Sequence, residues 1–403
     1  MKKKIISLIV VILVILGFGA VKYFDLEDNK PNGPSNIVTG VYEKFQIHFL
    51  ELGNKYTGDS VYIKAGENDI LIDAGSRKDS AEAIKDYVDK YCNDGKLEYV
   101  ISTHAHQDHI AGFVGKKSGS TKTGILYQYE VDTLIDFSLT DATSVIYSDY
   151  LDAVGYAVSK GAKHYTADDC WNNNNGASRS YSLGENMSLD ILYNYYYFND
   201  ASKTEGGENN YSVCLMLNYN DHYYMLTGDL EEEGEEKMAE YYDGSTTEKT
   251  LPHVEVFKAG HHGSKTSSND CLLELITPEI VTVCCCAGST EYTANYNNVF
   301  PTQEFIDRVA KYTENVFVTT VFNEKTKNFE SLNGTIIVSS NGQEIAINAS
   351  NNLTKLKDSD WFNEKIYVDE NNNICSGKGK DDFYTIDSPN VREVVRRIWS
   401  SGV

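Results

Sequence analysis

The stretch "THAHQDH" (103–109) constrains this chain more than any other. It sets three of the nine histidines and an aspartate within positions 104–109, directly after the apolar "LEYVIS". That run reads as a short buried strand, "LEYVISTH" (97–104), that ends on the histidines. If the strand continues for two residues, His104 and His106 point the same way, and Asp108 and His109 follow as the chain turns. Neutral imidazoles and a carboxylate converging from a rigid strand end suit a metal ion on a point open to water. Two more clusters share this layout: "YYMLTGD" ends on Asp229, and "VEVFKAGHHGS" ends on His261 and His262. Five of the nine histidines thus lie at two strand ends, with a carboxylate at a third. This donor count allows two cations sharing a carboxylate, an arrangement that lowers the pKa of a bridging water and clamps both oxygens of a displacement.

A chain of 403 residues with 41% apolar content can bury at least one large core. Residues 44–52 and 60–75 read as strands, the second a hairpin turning near Gly66. Apolar positions at Ala83, Ile84, Tyr87, Val88 and Tyr91 predict a helix over 80–94, and further helices are expected over 145–158, 231–242 and 302–313. Strands are expected over 186–198 and 254–260, with a hairpin over 211–229 around Asn220 and Asp221. "EIVTVCCC" (279–286) reads as a buried strand in which Cys284 and Cys286 share a face as small hydrophobes. Eight cysteines permit disulfides in an exported protein without demonstrating any.

Met1 and three lysines precede an uncharged apolar run from Ile5 to Val21. Residues 1–24 therefore read as a signal anchor or signal peptide, with the rest of the chain outside the cytoplasm. A polar tether over 25–43 follows, carrying Pro31, Gly33 and Pro34. Residues 44–349 form the main domain, and 350–403 a C-terminal extension or small appended module packed through Trp361, Tyr367 and Trp399. The net charge of −23, with no Lys/Arg cluster, argues against non-specific nucleic-acid binding through a basic patch. The tyrosine-rich 193–198 can stack a ligand or simply pack a strand.

"THAHQDH" is similar to the HxHxDH signature of the metallo-β-lactamase superfamily. The order HxHxDH, TGD, GHHGS resembles the hydrolase domain of ComEC-type competence proteins, supported by "IHFLELGNKYTGDSVYI", "ILIDAG" and "NNYSVCLML". The resemblance spans roughly residues 45–349 and implies an α+β fold, an αββα sandwich with metals at one edge, behind the N-terminal hydrophobic helix. It implies that His104 and His106 hold one cation, Asp108 and His109 the other, and that Asp229 bridges. His262 is favoured as the remaining ligand and His261 as a supporting group or leaving-group acid, with the order open to reversal. Asp73 resembles the family's structural aspartate. Lactamase-like members have a further histidine before the bridging aspartate; here only His164 and His222 are available. The "ENNYS" segment resembles the ComEC-type replacement, with Asn210 and Ser212 lining the site, and Ser264 and Lys265 stand beside the histidine pair. An oxygen-rich site suits manganese as well as zinc. One hydrophobic segment replaces the multi-span channel of full competence proteins, and choline-phosphate esterases of cell-wall teichoic acid resemble the same subgroup.

These features predict an exported hydrolase with two divalent metal ions, acting on phosphodiesters of DNA or a cell-wall polymer. Attack is expected from a metal-bridged hydroxide, with Asp108 and His261 or His262 in the catalytic machinery. The alternatives are a surface-polymer binding protein that retains the fold, and an amide or lactam hydrolase.

Overall fold

The computed structural model describes residues 37–198, 206–245, 247, 249–293, 295–368 and 374–376. The expected hydrophobic segment 1–24 and the "VREVVRRIW" stretch with Trp399 lie outside the described residues. Among the described residues no helix is long and apolar enough to cross a membrane.

The chain begins a first sheet with β1 (Ile37–Thr39), β2 (Phe45–Phe49), β3 (Val61–Ala65), β4 (Asn68–Ile72), β5 (Lys96–Ile101), β6 (Glu130–Asp136) and β7 (Lys163–Thr166). It then builds a second sheet from β8 (Ser180–Gly184), β9 (Met187–Ile191), β10 (Leu215–Tyr219), β11 (His222–Leu226), β12 (Val256–Lys258), β13 (Ile280–Ala287), β14 (Val316–Asn323) and β15 (Asn328–Ser331). It returns to the first with β16 (Ile336–Ser340) and β17 (Ile345–Ala349). The first sheet runs β1-β17-β16-β2-β3-β4-β5-β6-β7, and the second keeps chain order from β8 to β15. Within each sheet three successive strand pairs are parallel, β4 to β7 and β11 to β14. Parallel pairing needs crossovers, and α1 (Ser80–Val88), α2 (Gln107–Val114), α3 (Val145–Ser159), α4 (Glu232–Tyr242), α5 (Asp270–Ile276) and α6 (Gln303–Val309) lie in those connections.

Alternation along the strands explains the layering. On β2, Phe45 packs its ring against Tyr219 and Tyr224 of the second sheet, while His48 faces outward to the Tyr87 hydroxyl of α1 at 2.8 Å. On the second sheet, Leu215, Leu217, Tyr224, Leu226 and Val256 join the core between the sheets. Met216, Met225 and Phe257 point the other way, into a second core with Met238 of α4, Leu272 and Leu273 of α5 and Phe305 of α6. The layers are therefore helix, sheet, sheet, helix, the arrangement expected for the main domain.

Some elements differ from expectation. Ile37–Thr39, expected within the tether, pairs as an edge strand beside β17. The strand expected to run to His104 ends at Ile101, and the chain enters α2 at Gln107 with His106 as its extended N-cap. The strand expected over 186–198 ends at Ile191, because the Asn194 side chain accepts from the Tyr196 amide and draws Tyr195–Tyr197 into a 3-10 turn. Tyr196 and Tyr197 are then buried, and Tyr193 stacks on Tyr241 at 4.0 Å. On β13, Cys284 joins the core between the sheets and Cys285 the outer one, with a register shift before Cys286. The seven cysteines whose side chains are described are free thiols. After β17, Thr354 exchanges hydrogen bonds with Asn333, and Leu356 and Trp361 pack on the outer core. Ile366–Val368 pairs with Ile374–Ser376.

Candidate metal centre

Three loops meet where parallel strands of both sheets end. β5 gives way to the histidine loop, β11 to Thr227-Gly228-Asp229, and β12 to Ala259-Gly260-His261-His262. The first loop is meshed with its neighbours through the backbone. Asp59 N donates to Asp108 O at 3.0 Å, Gly75 N to Asp59 O at 2.7 Å, and Ala74 N to His109 O at 2.7 Å. Close approach requires glycine here: a Cβ on Gly75 would stand 1.5 Å from Asp108 O. Three site residues hold left-handed backbone, Asp73 (φ 57°), His261 (φ 44°) and His262 (φ 54°), a strain concentrated at functional sites.

Asp229 is the hub. Its Oδ2 lies 3.2 Å from His109 Nε2, 3.3 Å from His262 Nε2, and 3.9 Å from both His104 Nε2 and His261 Nε2. His262 Nε2 also stands 3.4 Å from Asp108 Oδ2. Two of the donor groups that result are His104, His109 and Asp229, and Asp108, His109 and His262. The ligand-bearing atoms fit a cation better than they fit one another. His109 Nε2, His262 Nε2 and Asp229 Oδ1 are buried without a hydrogen-bond partner, a costly state unless a cation takes their lone pairs.

The remaining sites predicted from sequence fall around this hub. His106 is exposed on the rim, its Nδ1 3.0 Å from His104 Nε2, and it joins neither donor group. His261 is partly exposed and turns its Nδ1 to Glu231 at 3.1 Å. Asp73 accepts from the Thr103 amide and hydroxyl, both at 2.7 Å, and stands 2.8 Å from His109 Nδ1, which leaves Nε2 of that ring facing Asp229. Ser212 accepts from the Asp229 amide at 3.1 Å and lies 3.4 Å from His104 Nδ1. Asn210 accepts from the Glu231 amide at 3.0 Å, so it braces the Asp229 loop. Ser264 bonds Thr266, and Lys265 reaches out to Asn298. His164 and His222 sit in ion pairs with Asp136 and Glu255, away from the donor groups.

Sequence reasoning passed over Asp59, Lys258, Glu231 and Tyr292. Asp59 is buried beside His262, and Tyr292 donates to Asp108 Oδ2 at 2.8 Å. A signal existed for Lys258, since a lysine inside the apolar strand "VEVFK" needs a buried partner.

Electrostatics follow from burial and pairing. Burial, then the neighbouring His109, pushes His104 well below the ordinary histidine value, which keeps it neutral as a ligand must be. Burial opposes charge on His109 and His262, but Asp229 and the second carboxylate of each, Asp73 or Asp59, outweigh it and raise both. Burial likewise works against ionised Asp229, and His109 and His262 overcome it to hold the carboxyl well below its usual range.

A fold of two packed sheets with histidines and aspartates at the strand ends defines a class, and the sequence comparison agrees. Residues 53–161 match the family model described as Metallo-beta-lactamase superfamily, and the match includes the histidine loop. Among curated proteins it is similar to Recombination protein 2 of Haemophilus influenzae, 27% identical over 123 residues, covering 30% of this chain and 14% of that protein. The chain thus spans only 14% of the length of that relative. Among solved structures, a Cronobacter sakazakii metallo-beta-lactamase is 13% identical over 52% of this chain and 76% of its own, with a TM-score of 0.29. A diphosphatase from the PhnP family is 10% identical over 59% and 85%, with a TM-score of 0.30.

Proposed function

We propose that the chain is an exported, membrane-anchored or secreted phosphodiesterase that uses two divalent cations, zinc or manganese, on DNA or a phosphodiester-bearing surface polymer. The observation that carries this reading is the position of Asp229 Oδ2, within 3.9 Å of ring nitrogens of four histidines. A carboxylate so placed can serve two cations at once. Bound cations would supply Lewis acidity at the phosphoryl oxygens and lower the pKa of water. His104, His109, Asp108, Asp229 and His262 would hold them. Asp73 fixes the His109 ring, and Ser212 fixes the Asp229 loop. His261, on the rim between Glu231 and the hub, would pass a proton to a departing oxygen. The apolar run Ile5–Val21 supports export, and cations at the site offset the repulsion between a polyanion and a chain of net charge −23.

The test is metal content together with a substrate panel. The full chain should carry one to two transition-metal ions and hydrolyse bis-p-nitrophenyl phosphate when zinc or manganese is present. A metal-loaded chain that opens lactams or amides and leaves every phosphodiester intact would transfer the assignment to amide hydrolysis. Binding of a surface polymer without turnover would transfer it to a binding protein.

A further inference from the structure

Of the three fully buried histidines that face Asp229, two back onto a carboxylate. His109 backs onto Asp73. Behind the ring of His262, Nδ1 hydrogen-bonds Cys284 O at 3.0 Å, and the Asp59 carboxylate stands against the same nitrogen as a charged neighbour, Oδ1 at 3.1 Å. Asp59 is only 2% exposed, and its other oxygen, Oδ2, pairs with the ammonium of Lys258, itself 2% exposed. The same ammonium donates to Gly228 O at 3.4 Å, on the peptide unit that precedes Asp229. A buried ion pair is costly to keep, and replacing such a pair with apolar groups is often neutral or stabilising. Their placement, behind one candidate ligand and beneath the loop of another, accounts for the cost.

From this juxtaposition we infer that Asp59, neutralised by Lys258, is a positioning residue that holds His262 with Nε2 toward the cation, as Asp73 does for His109. This rests on the reading that the cluster holds cations. A carboxylate on Nδ1–H fixes the tautomer, orients the ring and raises the basicity of Nε2. Lys258 keeps Asp59 from acting as a ligand itself: Asp59 oxygens lie close enough to Asp229 and His262 to share a cation with them, but an ammonium already stands against that carboxylate. Lys258 also ties the second histidine's support to the Asp229 loop, so both respond to one buried charge.

Cobalt(II) uptake by the full chain, followed by chelator competition and by the visible d–d absorption, tests the inference. In Asp59→Asn one cobalt equivalent should bind about 10–100-fold more weakly, with an altered d–d band, while the other keeps its affinity. The double variant Asp59→Asn/Lys258→Met removes both buried charges together, so it carries the measurement if the single variant does not fold. It should show the same selective loss, and His262→Ala identifies the equivalent concerned. A folded double variant that binds both cobalt ions with parental affinity and spectrum overturns the inference. A parent that binds cobalt but cleaves no phosphodiester overturns only the proposed function. A parent that takes up no cobalt overturns both.

Discussion

Asp229 shows how much of this site hangs on one side chain. Its carboxylate faces four histidine nitrogens from a loop whose backbone is held separately, by the Ser212 hydroxyl. Asp229→Asn keeps volume and that backbone bond but removes the charge that would offset the cations of the proposed site. The variant should stay folded, lose at least one metal equivalent, and hydrolyse a model phosphodiester on the order of a hundredfold more slowly or worse. Parental turnover in a folded, metal-depleted variant would place the chemistry elsewhere. A second residue reports on stability. Burial among Tyr62, Tyr87 and Tyr91 lowers His48 to about 3 from an ordinary 6.5. The unfolded chain takes up this proton near 6.5 and the native chain only near 3, so stability is full above the first value and drains away as pH falls toward the second. At pH 5 the loss is about 2 kcal/mol. His48→Phe should flatten that part of the pH dependence in urea titrations at pH 7.5 and 5; equal slopes for parent and variant would rule the account out. The three motifs that meet at Asp229 were legible as polar clusters at strand ends, because histidines and aspartates in such density stand out from apolar strands. The pairing of Asp59 with Lys258 was not, because the two lie some two hundred positions apart (59 and 258): the strand around Lys258 signals a buried partner, but only the fold shows which.

At the scale of elements, patterns with local causes were readable and those set by distant pairing were not. The hairpin between β10 and β11 turns on Asn220 and Asp221, both left-handed (φ 53° and 64°), as that dipeptide predicts. The helix expected over 302–313 forms as Gln303–Val309, with Thr302 as its side-chain cap. The register of β16 against β2, which joins residues nearly three hundred positions apart, has no local signature. Nor had the exact end of β5: Ser102 and Thr103 suit a strand as well as a loop, and the mesh of Asp59, Gly75 and Asp108 backbones decides for the loop. That mesh makes a prediction from two glycines. Gly75→Ala drives a Cβ into Asp108 O, while Gly155, exposed on α3, has nothing within 4 Å of its Cβ position. Gly75→Ala should destabilise by about 1–3 kcal/mol or more and weaken metal uptake, because Asp108 and His109 must shift. Gly155→Ala should instead stabilise by about 0.5–1 kcal/mol. Thermal melts of both, with metal titration of the first, check this; an innocuous Gly75→Ala would mean that the mesh yields readily.

The whole molecule carries its chemistry against its own field. A net charge of −23 repels a polyanion over a distance set by salt, about 30 Å at 0.01 M and about 8 Å at 0.15 M. The inner donor groups are histidines as well as carboxylates, and the cations they fit would make the site locally attractive within a repulsive surface. Long-range repulsion and short-range attraction then act on different parts of a substrate. A small diester such as bis-p-nitrophenyl phosphate feels mostly the site, whereas a polymer must bring many phosphates against the acidic surface. For the polymer, KM should fall as ionic strength rises from about 0.01 to 0.15 M, because screening removes the repulsion before it reaches the enclosed site. For the small diester KM should change little over the same range, and kcat should hold for both. Steady-state kinetics on the two substrates side by side give the comparison. A KM for the polymer that climbs with salt would reveal attraction through a basic groove and would overturn the repulsion account.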